Sequence, residues 1–320
     1  MTKIFIAEPL YADYISSASA AAPRAEFVSF DGNADLIPGI AEADVVAWFW
    51  YPRERLESML QSAVNLKWLN VGSAGVDWIY KSGIRSKKDL VLTDSGPAYD
   101  IAIPEYVLAW MLAIAKRVPQ FLDHQRKHEW IDEIQGDLYG STVGIIGLGP
   151  IGQGVAARCK AFGMKTLGYR RRQLPVDNVD EVLTGPDGLQ RLVTASDYIV
   201  LAAALTEDTR HILGKDQIDA MKATAWVINI ARGALIDQDA LTTALQDHRI
   251  GGACLDVFAV EPLPQDSPLW DMPNVLITPH DSHGGGAALA QRRKDVFIDN
   301  LARFVADKPL KNVVSFEHGY

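Results

Sequence analysis

Residues 143–152 read Val143-Gly144-Ile145-Ile146-Gly147-Leu148-Gly149-Pro150-Ile151-Gly152, a short apolar run that ends in Gly-x-Gly-x-x-Gly and leads into helical periodicity over 153–162. Few local patterns restrict a backbone as tightly. Gly147 permits a tight turn, Gly149 lets a ligand come close to the main chain, and Gly152 lets the following helix pack onto the strand. A glycine-rich turn by itself often does nothing more than connect two elements. With a strand before it and a helix behind it, the turn presents unpaired helix N–H groups and a partial positive charge, which suit a pyrophosphate. Gly147, Leu148, Gly149, Pro150, Ile151 and Gly152 are therefore expected to hold a dinucleotide.

The rest of the chain repeats this alternation. Apolar, β-rich runs at 4–7, 45–50, 68–71, 143–146, 165–169, 198–202, 226–230 and 275–278 alternate with helical segments, as parallel strands covered on both faces require. At 320 residues the chain exceeds what one core usually holds, so two domains are expected. A turn at 96–98 followed by Pro104 at the start of an apolar helix, 105–117, marks one boundary. Glycines 284–286 before a helix at 287–306 mark the second, and the short tail at 308–314 is expected to return to the N-terminal part. The reading is α/β, with two Rossmann-like, doubly wound parallel-sheet domains. Residues 1–98 and 287–320 form one domain, and residues 99–286 form a dinucleotide-binding domain inserted into it.

Composition narrows the class further. A net charge of −9 disfavours nucleic acid and acidic membrane surfaces as partners. The two cysteines, Cys159 and Cys254, have no metal-ligand spacing and cannot build a disulfide framework, so no metal is expected and a reducing compartment fits. Residues 1–9 lack the parts of a secretory signal, and the apolar stretch at 106–115 is too short to span a bilayer, which gives a cytoplasmic expectation. His124 and His128 stand four apart on an expected helix, but no third ligand accompanies them.

Beyond the 165–169 strand the sequence places Arg170, Arg171 and Arg172, where NAD-binding proteins usually put a carboxylate for the ribose 2′-hydroxyl. Guanidinium groups there suit a 2′-phosphate, because arginine binds phosphate bidentately and stays charged. NADP(H) is the expected cofactor, with NAD(H) possible.

Three polar residues lie after or near strands: Arg232 in Ile228-Asn229-Ile230-Ala231-Arg232-Gly233, Glu261 in Asp256-Val257-Phe258-Ala259-Val260-Glu261-Pro262, and His280 in Thr278-Pro279-His280. These blocks, together with Gly72-Ser73-Ala74-Gly75-Val76-Asp77 and the closing Lys308-Pro309-Leu310-Lys311-Asn312-Val313-Val314, resemble the D-isomer-specific 2-hydroxyacid dehydrogenases over nearly the whole chain. The resemblance extends to the NADPH-dependent glyoxylate/hydroxypyruvate reductases. It implies a flavodoxin-like substrate domain outside a Rossmann cofactor domain, with His280 as acid/base, Glu261 as its partner and Arg232 as substrate anchor. It further implies that Ser73, Ala74 and Gly75 meet the substrate carboxylate and that Trp50 and Tyr51 line the substrate pocket. Asp256 is expected at the nicotinamide amide, Thr206 and Ala231 near the cofactor, and Trp130 near the pocket of a partner in a homodimer.

The residue types suit that chemistry in their own right. Reducing a 2-keto acid takes a hydride at the carbonyl carbon and a proton at its oxygen, and histidine titrates in the right range to supply the proton. An adjacent glutamate orients the ring, and an arginine can grip carboxylate and carbonyl oxygen together. Glutamate at 261 argues against formate dehydrogenases, which carry glutamine there, and the short C-terminus argues against the longer phosphoglycerate dehydrogenases. Reductases of small 2-keto acids such as glyoxylate and hydroxypyruvate come first. Bulkier keto acids, and a non-enzymatic corepressor-like nucleotide sensor, are the alternatives. Asp281, Ser282 and His283 depart from the family pattern after the histidine, and as sequence neighbours they do not form a hydrolase triad.

Overall fold

The computed structural model describes all residues except Trp50, Lys88 and 318–320. It divides into two compact units, Met1–Tyr99 with Gly285–Tyr320, and Asp100–Gly284.

The discontinuous unit contains β1 (Lys3–Ala7), α1 (Glu8–Ala21), β2 (Glu26–Phe30), β3 (Val45–Trp48), α2 (Arg53–Ser62), β4 (Trp68–Val71) and β5 (Val91–Thr93). The strands form one parallel sheet in the order β2-β1-β3-β4-β5. Residues of β1, β3 and β4 are buried almost throughout, because helices cover both faces of the sheet. Edge strand β5 is covered by the returning tail: Val314 N–H donates to Leu92 C=O at 2.9 Å, and Thr93 bridges Val313 antiparallel. A covered edge removes a template for unwanted strand pairing.

The contiguous unit opens with α3 (Ala102–Ala115) and α4 (Val118–Lys127). It continues with β6 (Thr142–Ile146), α5 (Pro150–Ala161), β7 (Lys165–Tyr169), β8 (Glu181–Leu183), α6 (Gly185–Ala195), β9 (Tyr198–Leu201), α7 (Lys215–Asp219), β10 (Trp226–Asn229), α8 (Gln238–Gln246), β11 (Gly252–Leu255) and β12 (Val275–Ile277). Its seven strands are parallel, in the order β12-β11-β10-β9-β6-β7-β8. Strand order reverses between β6 and β9, the place where ligands bind in open α/β sheets. The chain then returns to the discontinuous unit through α9 (Ala287–Val305), whose Phe297 stacks on Trp68 at 5.4 Å.

Some boundaries differ from the sequence reading. Helix α3 starts at Ala102, so Pro104 sits inside its first turn, where no backbone donor is needed. The segment Gly96–Ala115 is long and apolar enough to cross a bilayer by length and composition. Its α3 part buries Val107 and Met111, and Met111 meets Cys159 of α5. Helix α4 stops at Lys127 because His128 adopts left-handed backbone (φ 57). His128 therefore leaves the helix that was expected to pair it with His124, whose ring faces Glu129 and Glu133 at 3.2 and 3.0 Å instead. Trp130, beyond the helix end, is 96% exposed.

Candidate active site

The glycine turn lies between β6 and α5, at the strand-order reversal. Gly147 has φ 101, and a Cβ there would come within 2.5 Å of Ala203 N. At Gly152 a Cβ would stand 2.0 Å from Gly147 O, so the turn and the first turn of α5 touch through bare backbone. Gly149 is exposed, and a Cβ there would meet nothing within 4 Å. The side of the turn that is clear of protein is thus the side from which a pyrophosphate would approach. Pro150 opens α5, using the helix position at which a missing N–H costs nothing. Leu148 is buried against the position of Gly168 on β7, and half-buried Ile151 occupies the first turn of α5.

Gly147 N–H donates to Tyr169 C=O at 2.9 Å, so the arginine triplet begins one residue from a backbone contact with the turn. Arg170 is half-buried, while Arg171 and Arg172 are exposed. Beyond β9, Thr206 and Thr209 form a capping box that fixes the next loop on the same sheet edge.

Three further residues stand at the carboxyl ends of β10, β11 and β12. The buried side chain of Asn229 curls the turn after β10: its Nδ2 donates to Arg232 C=O (2.9 Å) and its Oδ1 accepts from Ala231 N–H (3.1 Å). Arg232 is half-buried and donates through Nη1 to Ala231 C=O at 2.6 Å. A Cβ on Gly233 would lie 1.9 Å from Phe258 C, so this turn is pressed directly onto the loop that carries Glu261.

Asp256, after β11, is buried and grips the segment after β12. Its carboxylate accepts from Thr278 Oγ1 (2.7 Å), Asp281 N–H (2.9 Å) and Ser282 N–H (3.1 Å), while its carbonyl accepts from His280 N–H (2.8 Å). These bonds force His280 into left-handed backbone (φ 55). Thr278 in turn takes the Tyr106 hydroxyl of α3, a phenol that burial pushes above its ordinary range and so keeps protonated as a donor. The carboxylate expected at the nicotinamide thus already carries three donors from its own chain. Asp281 and Ser282 serve that grip through their backbone, and His283 turns to Gly284 C=O at 2.5 Å.

His280 Nδ1 faces Glu261 Oε2 at 2.8 Å, and Glu261 Oε1 is fixed by Phe258 N–H at 3.0 Å. The two side chains are 40% and 35% exposed, so the pair opens to solvent. Adjacent strands lie ~4.8 Å apart, which puts the ends of β10 and β12 roughly 10 Å from each other, and β10 a similar distance from the glycine turn.

In the discontinuous unit, the loop after β4 has its carbonyls held by side chains and backbone. Ser95 Oγ donates to Val71 C=O (2.9 Å), Tyr99 Oη to Gly72 C=O (2.5 Å), Ser95 N–H to Ser73 C=O (3.0 Å), and Ser73 Oγ and Trp78 Nε1 to Gly75 C=O (2.8 and 3.1 Å). Among the described residues, no protein acceptor is set against the N–H groups of Ala74 and Gly75. A loop with pinned carbonyls and available amides suits an anion such as a carboxylate. Tyr51 behaves differently from the expected pocket lining. Its hydroxyl donates to Phe30 C=O (2.7 Å) and accepts from Glu8 N–H, and its ring packs on Phe30 and Trp48. Trp50 lies outside the described residues.

The strand order, the glycine turn and the polar carboxyl edge define a dinucleotide-dependent oxidoreductase of the α/β class. Residues 108–282, more than half of the chain, match the model of the D-isomer specific 2-hydroxyacid dehydrogenase NAD-binding domain. The chain belongs to the D-isomer specific 2-hydroxyacid dehydrogenase family and is an NAD(P)-dependent enzyme of that family. It is 34% identical over 319 residues to a D-3-phosphoglycerate dehydrogenase of Methanocaldococcus jannaschii, covering 97% of this chain but only 60% of that protein. It is 35% identical to glyoxylate/hydroxypyruvate reductase B of Pectobacterium carotovorum, covering 81% of this chain and 82% of that one. A Xanthobacter autotrophicus Py2 member of the family, solved with NADPH and MES, superposes with TM-score 0.85 at 28% identity, covering 100% of this chain and 99% of that one.

Proposed function

We propose that the protein reduces small 2-keto acids of the glyoxylate and hydroxypyruvate type, with NADPH as preferred cofactor and His280 as proton donor. The observation that carries this reading is the 2.8 Å contact between His280 Nδ1 and Glu261 at the carboxyl edge that also carries Arg232 and the glycine turn. The bound nicotinamide supplies the hydride. Glu261 accepts a hydrogen bond from Nδ1–H of His280, which leaves Nε2–H to deliver its proton to the carbonyl oxygen as the alcohol forms. Arg232, held by the Asn229 turn, polarises the carbonyl and binds the carboxylate. The Ala74 and Gly75 amides, in the discontinuous unit, suit a carboxylate. Arg170, Arg171 and Arg172 favour a 2′-phosphate over a 2′-hydroxyl. Exposed Trp130 and Ile134 support a homodimer formed through the contiguous unit.

The test is the loss of NADPH absorbance with glyoxylate, hydroxypyruvate, pyruvate, phenylpyruvate and phosphohydroxypyruvate. Turnover is expected to be highest with the first two, and inactivity toward all five sinks the proposal. His280→Ala is expected to lower kcat at least ~10²-fold. Arg170→Asp is expected to weaken NADPH use far more than NADH use, and equal effects on both cofactors overturn the cofactor assignment.

A further inference from the structure

The loop after β4 is held by a relay that reaches across the discontinuous unit. Arg293, on α9, is only 6% exposed and donates to Tyr99 Oη through both Nε (3.0 Å) and Nη2 (2.5 Å). The phenol's one hydrogen is then directed onto Gly72 C=O at 2.5 Å. Burial raises the Tyr99 phenol above its ordinary range, against the opposing pull of Arg293, so it remains a donor. Two guanidinium donors on one hydroxyl polarise its O–H, and such chained hydrogen bonds strengthen one another. At the end of the chain stands a position with no slack, because a Cβ on Gly72 would lie 2.2 Å from the Phe49 ring. One residue farther on begins Ser73-Ala74-Gly75, and the proposed function gives the Ala74 and Gly75 amides to the substrate carboxylate.

We infer that Tyr99 and Arg293 are positioning residues for substrate: they hold the Gly72 carbonyl so that the Ala74 and Gly75 N–H groups stay aimed at a carboxylate, and they set substrate affinity without touching substrate. This rests on the function proposed above. The partner chemistry is narrow, since the relay orients amide donors, which bind the carboxylate of a 2-keto acid and have no role in hydride donation. Its signature is therefore a rise in KM with kcat and cofactor affinity nearly untouched. A residue that merely stabilises the fold lowers Tm and the active fraction, and leaves the KM of the surviving enzyme unchanged.

The test uses Tyr99→Phe, which keeps the ring but removes the hydroxyl, and Arg293→Lys, which keeps the charge but cannot donate two forked bonds. One hydrogen bond to a neutral acceptor contributes about 0.5–1.5 kcal/mol, so Tyr99→Phe is expected to raise KM for hydroxypyruvate roughly three- to tenfold. Arg293→Lys is expected to give a smaller rise in the same direction. NADPH affinity by fluorescence titration is expected to stay within twofold of wild type in both. Wild-type KM in a folded Tyr99→Phe enzyme overturns the inference, as does an equal loss of NADPH affinity. If Tyr99→Phe fails to fold, Arg293→Lys decides the matter by the same KM comparison. Should the wild-type enzyme reduce no keto acid, the proposed function falls. Calorimetric binding of oxamate, an unreactive analogue, to wild type and variants then decides the relay: weaker binding to the variants supports it and equal binding refutes it.

Discussion

The contact between the glycine turn and α5 sets a quantitative test of how the cofactor is held. In Gly152→Ala the new methyl starts 2.0 Å from Gly147 O, whereas ordinary contact begins at 3.4 Å, so α5 must withdraw by 1.4 Å or the turn must yield. Overpacking of this kind costs about 1–3 kcal/mol, and alanine's better helix propensity returns less than ~1 kcal/mol. A net loss of about 1–2 kcal/mol lowers Tm by roughly 2–8 °C in a unit of this size. The withdrawn helix N-terminus also carries its free amides out of bonding range of a pyrophosphate, and each charge-assisted hydrogen bond contributes about 1.5–3 kcal/mol. NADPH affinity is therefore expected to fall at least tenfold. Gly149→Ala is the matched control, because its backbone (φ −75, ψ −171) accepts alanine and its methyl meets no protein atom. That variant is expected to keep wild-type Tm while binding NADPH at least tenfold more weakly, since the methyl fills the approach to the turn. Differential scanning fluorimetry and fluorescence titration of NADPH read both variants. Wild-type affinity in Gly149→Ala refutes the placement of the pyrophosphate, and wild-type Tm in Gly152→Ala refutes the packing argument.

Other perturbations probe the supports. Burial raises Asp94 to about 7 from its ordinary 3.8, against the bond from Gly96 N–H. Its stabilising protonated state is fully present below pH ~4 and is lost as pH rises through 7. Asp94→Asn is expected to be more stable than wild type between pH 6 and 8, by up to a few kcal/mol and with a correspondingly higher Tm, and a pH-independent difference refutes this. Glu133 and Glu129 raise His124 above its ordinary value. Their support is full below pH ~6.5 and disappears as pH rises through the raised value, so His124→Ala is expected to lower Tm at pH 6 more than at pH 9. Asp256→Asn turns a donor toward the N–H of Asp281 or Ser282, and kcat is expected to drop at least tenfold; an unchanged kcat argues against the grip on the His280 segment.

The fold class was readable because most of its strands are buried apolar runs: β1, β3, β4, β6, β9 and β10 stand out, and the glycine turn adds backbone geometry that only one residue type supplies. Strands β2, β5, β8 and β11 carry weaker signals. Three residues of β2 are only half-buried, β5 and β8 span three residues each, and β11 opens with Gly252 because the Trp226 ring fills the space a side chain would need. In the candidate site, Arg232, Glu261 and His280 were visible as polar residues in or after apolar runs. The parts that orient them were not. Asn229 looks like one more strand residue until its side chain is seen curling the next turn. Tyr99 and Arg293, which hold the loop after β4 rather than those three residues, stand 194 positions apart, a pairing that no local periodicity reports. Tyr51 carries an aromatic signature that fits a pocket as well as a core, and its bonds to Phe30 and Glu8 tie it to the framework.

The discontinuity of the outer unit has a consequence for biosynthesis. Once residue 284 has emerged from the ribosome, the seven-stranded unit is present as one continuous stretch and can close its core. The five-stranded unit, begun first, still lacks Phe297, Leu301 and Val314, all of which belong to its buried interior. Trp68 and Leu92 thus wait for Phe297 and Val314 while some two hundred later residues are translated. The half of the molecule made earliest is the half completed last, and it is there that nascent chains are most exposed to chaperones and to aggregation.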